Sequence, residues 1–178
     1  MSDSNNELSK VQGQMSLPEK IAAFVPGFRG YKEKELRRES DRLIRNHLYL
    51  KLSIEKNDLR EIEQKLADRR YFDVLTDMDR LLAKMDRVVE KINHASYGYS
   101  GFFDAVKVRE DNLDHMIDFD NKLLDGINAL ATEIDAFKAD LASGVTTNLK
   151  TRVQNVTDKL ESLENTFDQR NEIILGVS

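Results

Sequence analysis

Three histidines, no cysteine and many carboxylates are the raw material for any chemistry in this chain of 178 residues. Asp111, His115 and Asp118 fall at i, i+4 and i+7, on one face of a helix, and form the best metal-ligand trio. One helix supplies all three, and acidic side chains near a helix start are expected from the helix dipole alone. Di-iron bundles need Glu-x-x-His on two helices. The residues three before His47, His94 and His115 are Ile44, Lys91 and Asn112, so that pattern is missing. Without Cys there is no thiolate site and no disulfide scaffold. No Ser–His–acid set can be assembled from separate elements. Gly98-Tyr99-Ser100-Gly101 lacks both the Walker spacing and a Gly-Lys-Ser/Thr ending, so its glycines read as turn residues. Asn155-Val156-Thr157 matches a glycosylation sequon inside a helical pattern, in a chain whose residues 1–16 lack the apolar core of a signal peptide. These readings predict a protein that is not an enzyme, with no metal and no cofactor.

The remaining candidates are surfaces. The net charge is −5, which argues against nucleic acid as a partner. Within this acidic chain, residues 19–45 carry eight positive and five negative side chains, and Lys34, Arg38, Arg42 and Arg45 make a basic ridge on one helix. Interleaved Glu35, Glu39 and Asp41 blunt its field. The ridge reads as a solvated face or as a contact for an anionic surface. Just before it, Leu17, Ile21, Phe24 and Phe28 are spaced as one apolar helix face that ends at Pro26-Gly27 and Gly30. That face caps the body of the protein or docks elsewhere.

Residues able to do these things need long helices to hold them. Two Pro and eight Gly leave few breakers, and no apolar run reaches the roughly 18 residues that span a bilayer. Residues 1–14 are polar and aperiodic and read as a disordered tail; 15–178 read as a single helical-bundle domain. From Tyr31 to Arg69 there is no Gly or Pro, and apolar residues recur at Leu36, Leu43 and Leu50, then at Leu48, Leu52, Leu59, Ile62 and Leu66. A second helix over 71–95 has the seam Leu75, Met78, Leu82, Met85, Val89 and Ile92, widened by Val74, Leu81 and Val88. A third covers 109–143, and a fourth, from about 146 to 175, alternates steps of four and three through Leu149, Val153, Val156, Leu160, Leu163, Phe167, Arg170 and Ile174. Seven large apolar residues on the fourth helix represent roughly 10–20 kcal/mol of gross burial, so other helices must cover them. The predicted fold is all-α: an antiparallel up-down bundle of four long amphipathic helices with a short N-terminal amphipathic helix. Seams that pair between chains would instead give self-association.

Mirror symmetry locates the turns. In helices three and four, Leu141/Leu149, Ile134/Val156, Ile127/Leu163 and Asp120/Arg170 are equidistant from Val145, beside Gly144. Asp120 and Arg170, the charged intruders in their seams, are thereby expected within about a turn of each other. In helices one and two the midpoint falls at Arg70-Tyr71, although no breaker stands there; one unbroken helix over 31–95 is the competing reading. With both turns made, segment 17–30, loop 96–107 and the chain's end gather at one end, where the aromatics Phe28, Tyr31, Tyr97, Tyr99, Phe102 and Phe103 are concentrated.

Two stretches carry a resemblance. Pro26-Gly27-Phe28-Arg29-Gly30-Tyr31 with the following Lys34-Glu35-Leu36-Arg37-Arg38, and Tyr97-Gly98-Tyr99-Ser100-Gly101-Phe102-Phe103, resemble segments of a group of small prokaryotic helical proteins with no established activity. The resemblance spans roughly 24–125 and implies one recurring architecture without catalytic roles. The expected function is a cytoplasmic, non-catalytic interaction or scaffolding module that binds another protein through Phe28, Arg29, Tyr31, Tyr97, Tyr99, Phe102 and Phe103. The alternative is a peripheral membrane or membrane-stress component anchored by residues 17–28.

Overall fold

Two residues in the left-handed backbone region, Arg70 (φ 63°) and Gly144 (φ 79°), set the topology. In the computed structural model of the chain, backbone is described for residues 34–95 and 110–175, and side chains for 41–95 and 118–172. Four helices are seen: α1 (Lys34–Asp68), α2 (Phe72–His94), α3 (Glu110–Ser143) and α4 (Leu149–Leu175). No strand occurs among the described residues. Contacts divide the chain between Leu43 and Ile44 into two units, with α1 running through the division. Of the first unit the structure describes only the beginning of α1, where Asp41 is buried. The four-helix body belongs to the second unit, 44–178.

Both tight turns end their helices in the same way. After α1, the amide of Tyr71 donates to the Leu66 carbonyl and that of Arg70 to Ala67. After α3, Val145 donates to Asp140 and Gly144 to Leu141. This paired i→i−5 and i→i−3 closure is a Schellman cap around one left-handed residue. The chain thus turns between α1 and α2, and the unbroken helix over 31–95 is excluded. Only the second cap was flagged by a glycine; the first uses an arginine, against a steric cost of about 1–2 kcal/mol. The start of α4 falls at Leu149 rather than near 146. Val145, Thr146 and Thr147 are poor helix formers, and the Asn148 carbonyl accepts the first helical bond, from Arg152, at 3.0 Å, which makes Asn148 the N-cap.

Polar contacts fix the directions. Lys56 meets Asp86 at 2.9 Å across α1 and α2, and the two residue numbers add to 142, close to the mirror point expected at Arg70-Tyr71. Across α3 and α4, Asp120 meets Arg170, whose numbers add to 290 as expected. Both pairs are antiparallel hairpins. Between hairpins the numbers rise together: Lys84 with Glu161 and Lys91 with Asp168 join α2 to α4, and Asp58 with Lys138 joins α1 to α3. Those neighbours run parallel. The helices therefore follow the order α1, α2, α4, α3 around the core, and α2 and α3, consecutive in sequence, sit on a diagonal. The Arg69 guanidinium donates to the Leu141 carbonyl at 2.6 Å, tying the two tight turns together at one end.

The core is apolar along its length. It is built from Leu48, Leu52, Leu59, Ile62 and Leu66 of α1, Val74, Met78, Leu81, Met85, Val88 and Ile92 of α2, Leu123, Ile127, Leu130, Ile134, Phe137 and Leu141 of α3, and the α4 seam from Leu149 to Phe167. Two expectations need correction. On α2 the seam residues Met78, Met85, Val89 and Ile92 are buried as expected, but Val74, Leu81 and Val88, expected only to widen the seam, are buried with them, whereas Leu75 and Leu82 are half-buried. Alternating steps of three and four fit two adjacent stripes equally well, and the neighbour, not the spacing, chooses between them. On α1, Leu50 is 61% exposed and so is no part of the core; with Ile54 (56%) it forms an outward apolar pair. Gly126 lets α3 and α4 approach closely: a Cβ there would stand 3.1 Å from Leu163 Cδ1.

Candidate functional site

The end opposite the tight turns is where α2 finishes at His94 and α3 begins at Glu110. Both sides of that link are held by named contacts. Lys91, in the last turn of α2, is clamped by Glu164 at 3.0 Å and Asp168 at 2.6 Å on α4. Partial burial alone would depress the Lys91 ammonium, but hydrogen bonds to Asp168 and Glu164 outweigh it and hold its pKa above the ordinary value. His94 Nε2 lies 3.0 Å from Glu90 Oε2 in the same turn.

On the other hairpin the seam closes with charge. Arg170 Nε donates to Asp120 Oδ1 at 2.5 Å, with both side chains buried at 1% and 0% exposure. The sequence predicted this meeting within a turn, and the two are in direct contact. Both partners are committed to each other inside an apolar seam. The pair's effect is positional. Two charges buried within an apolar seam tolerate one register only, since any slip leaves each without its partner.

A second buried carboxylate behaves differently. Glu55 on α1 is 6% exposed and its Oε2 has no hydrogen-bond partner among the described residues. Burial raises its pKa above the ordinary value, and the nearby carboxylates of Asp58 and Asp135 push it further, against Lys51 and Lys138. Lys138 is itself committed to Asp58 at 2.8 Å, which holds the ammonium above its usual pKa. On the outer side of α3, Arg152 bridges Asp140 and Glu133, and both bonds raise the guanidinium. Asn155 of the sequon donates to Glu133 at 3.2 Å from within α4.

The residues expected to recognise a partner, Phe28, Arg29, Tyr31, Tyr97, Tyr99, Phe102 and Phe103, lie outside the described residues, as does segment 17–30. Of the basic ridge, Lys34 and Arg38 stand on α1 with side chains outside the described set. Arg42 is exposed, whereas Arg45 is buried at 8% and so drops out of an anion-contacting face. Helical spacing placed Arg45 beside Arg42, but the core of α1 begins at Ile44 and takes in its neighbour. Of the metal trio only the Asp118 side chain is described, and it is exposed. Among the described residues no group of His, Asp and Glu could hold a metal ion, and no helix is long and apolar enough to cross a membrane. Sequence reasoning missed Glu55, although it stands at a core position between Leu52 and Leu59. It also missed a polar groove between α2 and α4, for which parallel packing of non-consecutive helices left no mirror signal. Comparison of the chain with protein-family models, with curated proteins and with solved structures gave no match.

Proposed function

We propose that the protein is a non-catalytic interaction module that binds another protein at the bundle end carrying residues 96–109. The supporting observation is the arrangement of the helices. Both short turns lie at one end, and α2 and α3 end and begin at the other on opposite corners of the bundle. Residues 96–109 join those two corners in sequence and include Tyr97-Gly98-Tyr99-Ser100-Gly101-Phe102-Phe103. Helix ends held by Asp120–Arg170 and by the Lys91 clamp reduce the ordering cost of binding. Tyr97 and Tyr99 supply contact, while Phe102 and Phe103 anchor the link. Phe28, Arg29 and Tyr31 are the second recognition element.

The test is an affinity pull-down from cell extract with the wild type and a Tyr97→Ala/Tyr99→Ala variant. Loss of one or more specific partners from the variant supports the reading. Equal recovery of every partner by both proteins contradicts it.

A further inference from the structure

Between α2 and α4, on the outside of the bundle, runs an open groove of about 640 Å³. Arg80, Lys84 and Arg87 line it from α2 at i, i+4 and i+7, and Lys150 lines it from the first turn of α4. Asp77 and Glu161 are the two carboxylates on its walls. Lys84 is bonded to Glu161, and Arg80 lies 3.4 Å from Asp77. Arg87 and Lys150 are left with no ion pair among the described residues. In a protein of net charge −5, this groove therefore has an excess of two positive charges, both uncommitted.

Their placement selects the ligand. The helices run in parallel, with Lys84 opposite Glu161. Lys150 thus stands near the Asp77 end of the groove and Arg87 near the Glu161 end. With Lys84 opposite Glu161 and Lys91 opposite Asp168, Arg87 is level with position 164; at 1.5 Å per residue, the fourteen residues from Lys150 to that level separate the two cations by roughly 21 Å along the groove. A single small anion cannot reach both cations; an elongated polyanion can. No aromatic side chain lines the groove on which a base could stack, which disfavours a nucleic-acid strand. The charge of Lys150 also runs against helix stability. The first turn of α4 has no acidic residue and presents a cation where the helix dipole favours an anion.

We propose that the α2–α4 groove binds an acidic peptide segment of a partner protein, with carboxylates about four helical turns apart engaging Lys150 and Arg87. This surface is distinct from the bundle end proposed above, and its success or failure is independent of that reading.

The probe is a fluorescein-labelled synthetic peptide of about sixteen residues, helical, with Glu at every third or fourth position, followed by fluorescence anisotropy on the full chain at low salt. Saturable binding is expected, weakened at least about tenfold by Arg87→Glu/Lys150→Glu. The control Lys65→Glu/Lys122→Glu makes the same change in net charge on other faces and is expected to shift Kd by less than about twofold. Lys150→Glu improves the charge at the start of α4, so unchanged helix content by circular dichroism separates lost binding from lost fold. The Tyr97→Ala/Tyr99→Ala variant is expected to bind the peptide as the wild type does. Absence of saturable binding, equal weakening by the control, loss in the tyrosine variant, or displacement by inorganic triphosphate at concentrations below those of unlabelled peptide would each overturn the proposal.

Discussion

Among single residues, the buried charges carry the sharpest consequences. Removing one partner of Asp120–Arg170 leaves an uncompensated charge in an apolar seam. Asp120→Ala is expected to lower the unfolding free energy by about 3–5 kcal/mol, whereas Asp120→Leu/Arg170→Met recovers most of that loss. Urea denaturation of the single and double variants measures the difference, and a double variant no more stable than Asp120→Ala contradicts the assignment. Glu55 gives the opposite sign. Its folded pKa is raised, so its contribution to stability is fully present below the ordinary carboxylate pKa and is lost as pH rises through the raised value. Replacement by Gln removes that loss. Glu55→Gln is therefore expected to stabilise the protein at pH 7 by about 1 kcal/mol, since the buried oxygen no longer has to stay charged, and to flatten the decline in stability between acid and neutral pH. Melts across that pH range check it; a wild type that gains stability relative to the variant as pH rises contradicts it. Glu63 shares the direction, chiefly through burial and its hydrogen bond to Asp79, so some slope persists in the variant.

The elements show what the sequence disclosed and what it withheld. The α4 seam was legible position by position because its 4-3 alternation meets one continuous core, and the mirror point at Val145 was legible because Gly144 stands beside it. The turn at Arg70 was legible only through that same mirror symmetry. Arg70 adopts a conformation that glycine favours, and no local residue type announced it. Arg70→Gly is accordingly expected to raise stability by about 0.5–1 kcal/mol, the relief of left-handed strain exceeding the added freedom of the unfolded chain. Gly144→Ala is expected to lower it by a similar amount. Thermal unfolding of both variants tests the two caps together, and destabilisation by Arg70→Gly contradicts the cap at Arg70. The pattern could not supply which of two adjacent stripes faces inward, as with Val74, Leu81 and Val88 against Leu75 and Leu82. Nor could it show that Leu50 and Ile54 turn outward: a leucine repeated every seven residues is compatible with either side of α1. Of the candidate site, the sequence disclosed the helix ends that flank residues 96–109 and not a set of contacts.

At the scale of the whole molecule, the order α1, α2, α4, α3 around the core turns two local hairpins into one body. Consecutive helices α2 and α3 lie on a diagonal, tied in through α4 and α1 respectively by Lys91–Asp168 and Lys138–Asp58. The proposed recognition through residues 96–109 depends on the chain doubling back at Arg70, because only then does the end of α2 return beside the beginning of the unit's α1 segment. The chain contains no native cysteine, so paired nitroxide labels can be placed cleanly. Asn46→Cys/Asn93→Cys puts them on exposed positions of α1 and α2. Pulsed electron-electron resonance on this variant, diluted with unlabelled protein so that only distances within one chain are read, is the most direct measurement. The hairpin predicts a label separation of about 15–25 Å, set by neighbouring helix axes and the label arms; a separation near 70 Å, roughly the length of an uninterrupted helix between those positions, would contradict it.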